Sequence, residues 1–299
     1  MTKEHYTAFA TSKSPALIMF LVDISGSMAK SLPGGKLRIE AANEAINTAV
    51  NELYSRSAKG RIVRPRYHIS FFGYSGDFYN IPGKKLWYPL DEFGNIEMPI
   101  LKPQGKTNME KAFLTVKDVL LSYKEASQTQ PEIWPYPNFF PAPLIIHITD
   151  IELKEKYGDP EPIVNEIKNI EFPDGNVLIE NIFITDLIKT GTIDNRVFKG
   201  FTDSNSTGIP LADKFLRMSS TIPDKYLEAL NKDGSIQSNQ LQIQKGAKMF
   251  FPGDDPDFIA SALVVSKASG VLEKISSNSP WDSKSFTASE IEDLINSDD

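Results

Sequence analysis

Residues 16–27 read ALIMFLVDISGS: an unbroken apolar run from Ala16 to Val22 that stops at Asp23 and gives way to a short loop rich in hydroxyls. A run this short, bounded by Pro15 and an aspartate, is a strand buried on both faces; a membrane span would need about 20 apolar residues. The signature recurs at Leu144–Ile148 (LIIHI), which ends in Thr149-Asp150, and at Val177–Thr185 (VLIENIFIT). Tyr67–Tyr74 (YHISFFGY), Trp87–Leu90 and Lys248–Phe251 are further strand candidates. Between them the period changes to that of a helix. Leu37, Ala41, Ala45, Ala49 and Leu53 share one face of a helix over 37–58, and Met109, Ala112, Phe113, Val116, Leu120 and Tyr123 form a stripe over 108–126. Shorter helices are expected over 163–170, 211–218, 226–230 and 256–268, the last with Pro256 in its first turn. Continuously apolar strands alternating with helices mean an α/β fold, doubly wound and Rossmann-like, with a mostly parallel central sheet flanked by helices.

The chain has 299 residues, 40% of them hydrophobic and 24% charged, which suits one large folded unit and argues against wholesale disorder. The division expected is an N-terminal arm over 1–14, a single domain over 15–270, and an acidic, Ser-rich tail over 271–299. A net charge of -7 argues against a general nucleic-acid binder, which needs a basic face. The absence of cysteine excludes disulfides, thiolate metal sites and cysteine nucleophiles. The start, MTKEHYTAFATSKSP, has no signal-peptide core, so a cytoplasmic protein without membrane attachment is expected. The Pro-rich stretch Pro131–Pro143, which carries Trp134, Tyr136, Phe139 and Phe140, reads as a stiff loop, either packed flat on the domain or forming an exposed partner surface.

In open parallel sheets, ligands bind past the carboxyl ends of strands. Three oxygen-rich segments fall there: Asp23-Ile24-Ser25-Gly26-Ser27 after the first strand, Gly105-Lys106-Thr107-Asn108 before the second long helix, and Thr149-Asp150. Such a donor set suits a hard divalent cation. Two serine hydroxyls at alternating positions of a tight turn can point to one centre, and carboxylates at Asp23 and Asp150 can hold metal-bound waters and supply countercharge.

These residues make the chain resemble a von Willebrand factor type A (VWA) domain, whose metal-ion-dependent adhesion site (MIDAS) carries Asp-x-Ser-x-Ser, then Thr, then Asp. The matching positions are Asp23, Ser25, Ser27, Thr107 and Asp150. One departure is Ile151, where relatives often have glycine. The resemblance, which spans about residues 15–270, implies Ser25 and Ser27 as direct ligands of Mg2+ (or Mn2+ or Ca2+). It implies Thr107 as a ligand directly or through water, and Asp23 and Asp150 acting largely through water. It implies a non-enzymatic module whose metal is completed by a Glu or Asp of a protein partner. A narrower similarity, over Ser219–Pro223 and Lys245–Phe250, is to bacterial members of tellurium-resistance and stress systems, which accompany kinase and phosphatase components. Two other classes stay open: a divalent-metal-dependent hydrolase or phosphotransfer enzyme, with Asp77 and Glu152 as unmarked candidates, and an accessory subunit of an ATPase or chelatase complex. The partner and the oligomeric state are not legible in the sequence.

Other signals weigh less. Gly105-Lys106-Thr107 resembles the end of a phosphate loop, but Ile100 stands where the first glycine belongs. Gly73-Tyr74-Ser75-Gly76 resembles a nucleophile elbow, but Asp77 replaces its closing glycine. His68 and His147 lie in strands and read as core residues; His5 is in the arm. Thr107 with Glu110 satisfies a capping box unaided, and Asp255 before Pro256 reads as a helix N-cap. In the tail, Thr287–Glu290 opens a short helix with Ile291, Leu294 and Ile295 on one face.

Overall fold

The structure is a computed structural model, and it describes residues 5–80, 84–93, 100–136, 138–150, 158–188, 198–232 and 242–263. Five strands form the parallel body of the sheet: β1 (Ala16–Asp23), β4 (Tyr67–Tyr74), β7 (Leu144–Thr149), β10 (Leu178–Ile184) and β11 (Phe250–Gly253). Among the described residues the sheet has seven strands in the order β11-β10-β7-β1-β4-β5. The short strands β5 (Phe78–Asn80) and β6 (Tyr88–Pro89) pair antiparallel with β4. Two hairpins lie off the sheet, β2 (Ala58–Lys59) with β3 (Ile62–Val63), and β8 (Glu171–Phe172) with β9 (Gly175–Asn176).

Among the described residues the α-helices are α1 (Arg38–Ser57), α2 (Leu90–Phe93), α3 (Met109–Thr129), α4 (Glu161–Lys168), α5 (Pro210–Met218), α6 (Asp224–Lys232) and α7 (Pro256–Ala262). They cover both faces. Ile18, Phe20 and Val22 of β1 pack with apolar residues of α1 and α7, while Leu17, Met19 and Leu21 pack with those of α3, α4 and α5. Every residue of β1 is buried, which is why its sequence shows no alternation. Truncating a core side chain such as Phe20 would cost about 3–5 kcal/mol.

The two long helices and the buried strands fall within a residue or three of the ranges expected from periodicity. Trp87–Leu90 is corrected: only Tyr88–Pro89 is extended, and Leu90 opens a helical turn whose Leu90 and Phe93 are buried. The alternative reading of Thr107 as no more than a helix cap is not what the structure shows. Asn108 caps α3, its side chain accepting from Lys111 N at 3.1 Å, so Thr107 is not committed to that role. Asp255 does cap α7, accepting from Asp257 N at 3.0 Å. In the Pro-rich loop Trp134 and Phe140 are buried, and Trp134 stands edge-on to both Tyr123 and His68. The arm lies along the body at Tyr6 and Thr7, whose amides donate to the carbonyl and side chain of Asp174. Ile151, Glu152, the last residues of the closing helix (264–268) and the tail with its helix lie outside the described residues.

Candidate metal centre

β1 is flanked by β4 on one side and β7 on the other, so the chain winds outward from β1 in both directions. The carboxyl end of β1 is therefore the switch point of the sheet, where the diverging connections leave a crevice. Asp23 and the turn after it sit at that point, with Thr149 and Asp150 beside them at the end of β7.

The turn is a single 3-10 turn over Gly26–Ala29, closed by Met28 N donating to Ser25 O at 3.0 Å and anchored by the fully buried Met28. The side chain of Asp23 accepts from Ser25 N at 2.8 Å and from Thr149 Oγ1 at 2.9 Å. Ser25 Oγ and Ser27 Oγ lie 2.9 Å apart, and Ser27 Oγ donates to Asp150 Oδ1 at 2.7 Å. Ser25, Asp23 and Asp150 are buried and Ser27 is half-buried. Four of the five residues singled out in the sequence thus form one hydrogen-bonded cluster.

The fifth, Thr107, lies in a loop pinned to the same turn. Gly26 N donates to Gly105 O at 3.1 Å, Gln104 N to Ile24 O at 2.6 Å, and Asn108 N to Ser75 O at 2.8 Å. Gly105 has φ +69°, a left-handed conformation, and a Cβ there would meet Ser75 Oγ at 3.1 Å, so glycine is required where this loop closes on the site. Thr107 is half-buried between Lys106 and the capping Asn108.

Sequence reasoning missed Arg38. Its Nη1 donates to Asp150 Oδ2 at 2.7 Å; the Asp150 side chain is fully buried and that of Arg38 is 12% exposed. Arg38 is the first residue of α1, placed by a tight turn in which Gly34 and Gly35 take φ of +91° and +90° and Gly35 N donates to Leu32 O. A signal did exist: a basic residue in the first turn of a helix opposes the macrodipole, so it needs another partner.

Burial pushes the Asp23 carboxyl up to about 6, against the hydrogen bonds from Ser25 and Thr149 and with a further push from Asp150. Below the site runs a satisfied polar chain. Tyr74 OH bonds His147 Nε2 at 2.7 Å and His147 Nδ1 bonds Asn181 Oδ1 at 2.7 Å. Asn181 Nδ2 donates to Ser219 Oγ at 2.9 Å, and Ser219 Oγ to Phe215 O at 2.8 Å. With the proton on Nδ1, a neutral His147 satisfies both partners. Burial lowers its pKa to about 4, and that of His68, bonded to Tyr123 OH, to about 3. Both histidines are core residues, as their strand positions suggested.

The donor set fits a small hard cation. All its atoms are oxygen, and the 2.9 Å between the two serine hydroxyls matches the edge between adjacent ligands of an octahedron with bonds of about 2.0–2.1 Å. No group of three or more His, Asp or Glu side chains is placed to hold an ion among the described residues. The cluster's donors are instead two hydroxyls and two carboxylates. No helix among the described residues is long and apolar enough to cross a membrane.

No family model matches the chain, and no curated protein matches it either. Among solved structures, proximal thread matrix protein 1 from the mussel byssus is similar over 88% of this chain and 48% of its own, at 11% identity and a TM-score of 0.44. The same protein described with a zinc-occupied MIDAS motif gives 12% identity and the same TM-score. An aerotolerance-related membrane protein from Bacteroides fragilis is similar over 57% of this chain and 69% of its own, at 16% identity and a TM-score of 0.32. The PilB minor pilin from Streptococcus sanguinis is similar over 84% of this chain and 60% of its own, at 11% identity and a TM-score of 0.41. The chain spans about half the length of the mussel protein it matches.

Proposed function

We propose that this chain is a divalent-metal-dependent protein-interaction module of the VWA type, not an enzyme, which binds an acidic side chain of a partner through Mg2+. The observation that carries the reading is the run of oxygens from Ser25 Oγ through Ser27 Oγ to Asp150, at 2.9 and 2.7 Å, at the switch point of a parallel sheet. Ser25 and Ser27 would hold the metal directly, with Thr107 beside them. Asp23 and Asp150 would act on its waters. When bound, the ion supplies an electrophilic centre for a carboxylate.

The surrounding residues support binding over catalysis. His147 is buried with both ring nitrogens bonded, to Tyr74 and Asn181, and His68 is buried with Nδ1 bonded to Tyr123, so neither is placed to act on a substrate as a general base. Of the two carboxylates named for acid–base work, Asp77 is exposed and paired with Lys111, and Glu152 lies outside the described residues. In the narrower part of this reading the chain works in the bacterial cytoplasm, and stress-system kinase and phosphatase components are the first partners to try.

The test is calorimetric titration of the EDTA-treated protein with Mg2+, for wild type and Ser25→Ala, with circular dichroism to show that both are folded. The reading expects saturable binding in wild type and at least tenfold weaker binding in the variant, on the order of the effect of losing a metal-site partner. Equal binding by the two proteins, or none by wild type, would reject it.

A further inference from the structure

Resting on the metal-module reading above, we propose that Arg38 is a resident counter-cation of the site, with which a divalent ion must compete for Asp150. Both oxygens of this buried carboxylate are engaged: Oδ1 by Ser27, a candidate ligand, and Oδ2 by the Arg38 guanidinium, each at 2.7 Å. Arg38 Nη1 makes the bond to Oδ2, while Arg38 Nε is buried without a hydrogen-bond partner. Helix propensity does not explain its position, because a cation at a helix N-terminus is disfavoured. The Gly34-Gly35 turn and the bond from Arg38 N to Lys30 O at 3.0 Å aim the side chain across the crevice instead.

The charge count gives this contact a consequence. With both carboxylates ionised, Asp23, Asp150 and Arg38 together carry one negative charge. A divalent ion added beside Arg38 turns that into one positive charge; without Arg38 the loaded site is neutral. Arg38 therefore raises the concentration of metal needed to load the site. It also leaves the loaded site with a surplus positive charge that an anionic ligand relieves. Metal and carboxylate then bind cooperatively, each strengthening the other by the same factor.

The experiment titrates Mg2+ alone into wild type, Arg38→Gln and Arg38→Lys, by calorimetry and by melting temperature in EDTA against Mg2+, and repeats it with sodium acetate against sodium chloride at equal ionic strength. Arg38→Gln is expected to bind Mg2+ about tenfold tighter or more, because a positive charge a few ångströms from the ion is removed. It should melt lower than wild type in EDTA, where Asp150 is left unpaired, and gain more from Mg2+. Arg38→Lys keeps the charge and stays weak, and acetate tightens Mg2+ binding more in wild type than in Arg38→Gln. Unchanged or weaker Mg2+ binding by a folded Arg38→Gln overturns the proposal. If that variant does not fold, the side-chain nitrogen resonance of Arg38 in wild type must shift along the Mg2+ titration, and a resonance that does not move overturns it equally. Mg2+ binding by wild type matched by Arg38→Gln removes this inference alone; no binding by either protein removes the metal reading with it.

Discussion

Thr149 Oγ1, at the end of β7, donates to Asp23 Oδ2, at the end of β1, at 2.9 Å, and so ties the first and third loops of the site together from below. The two strands are neighbours in parallel register, with Val22 opposite Ile148, which brings the next residue of each strand side by side. Asp23 is thereby held by groups of both strands, leaving the serine hydroxyls above it to face the crevice.

Replacing Thr149 with valine keeps the shape and removes the donor. The expected cost is about 1–3 kcal/mol, that of a buried hydrogen bond to a carboxylate. Urea unfolding of wild type and Thr149→Val reads it; an unchanged midpoint would mean that Asp23 is held by Ser25 alone.

Asn108 and Thr107 separate the cap from the site. Asn108→Ala should lose about 1 kcal/mol of stability. Thr107→Ala should stay within about 0.5 kcal/mol of wild type while weakening Mg2+ binding. The reverse pattern in unfolding and calorimetry would restore Thr107 as the cap and take it out of the site.

Glu180 is a costly buried group outside the site. It lies in the middle of β10 opposite Ile146, is fully buried, and neither carboxyl oxygen has a hydrogen-bond partner. Burial raises its pKa well above 4.5, so the folded state keeps a proton that the unfolded state releases. Its contribution to stability is thus present below about pH 4.5 and is lost as pH rises toward its folded pKa, by up to about 1.4 kcal/mol per pH unit. Glu180→Gln should be more stable than wild type at pH 7, with the gap closing toward pH 4.5. A gap that does not change between pH 5 and 7 would contradict this.

The two buried histidines act in the opposite direction. With folded pKa values of about 3 for His68 and about 4 for His147 against 6.5 when unfolded, both are neutral in the native state. Their contribution is full above about pH 6.5 and is lost as pH falls toward those values. Neither imidazole should titrate between pH 5 and 8 by NMR; a midpoint near 6.5 for either would show it to be open to solvent.

What could be read along the chain were the features set by local pattern. Continuous burial gave β1, β7 and β10 their unbroken apolar runs, and a single wet face gave α1 and α3 their periodicity. Asp23, Ser25, Ser27 and Asp150 were legible because each follows a strand whose end the pattern marks. The two-residue strands of the hairpins Ala58–Val63 and Glu171–Asn176 are too short to carry a period. Arg38 stood out only as a cation in a helix's first turn; its pairing with Asp150 was not legible because the partner is 112 residues away and no local pattern joins them. Thr107 and Asn108 are both good caps, and only the backbone path selects the second.

The central claim is that Ser25 and Ser27 bind a divalent ion. Its most direct test is a crystal structure of the protein grown with Mn2+, with data collected at the manganese absorption edge. The account predicts an anomalous peak within coordination distance of Ser25 Oγ and Ser27 Oγ, beside Asp150. No peak there, with the Arg38–Asp150 contact still closed at saturating Mn2+, would contradict it.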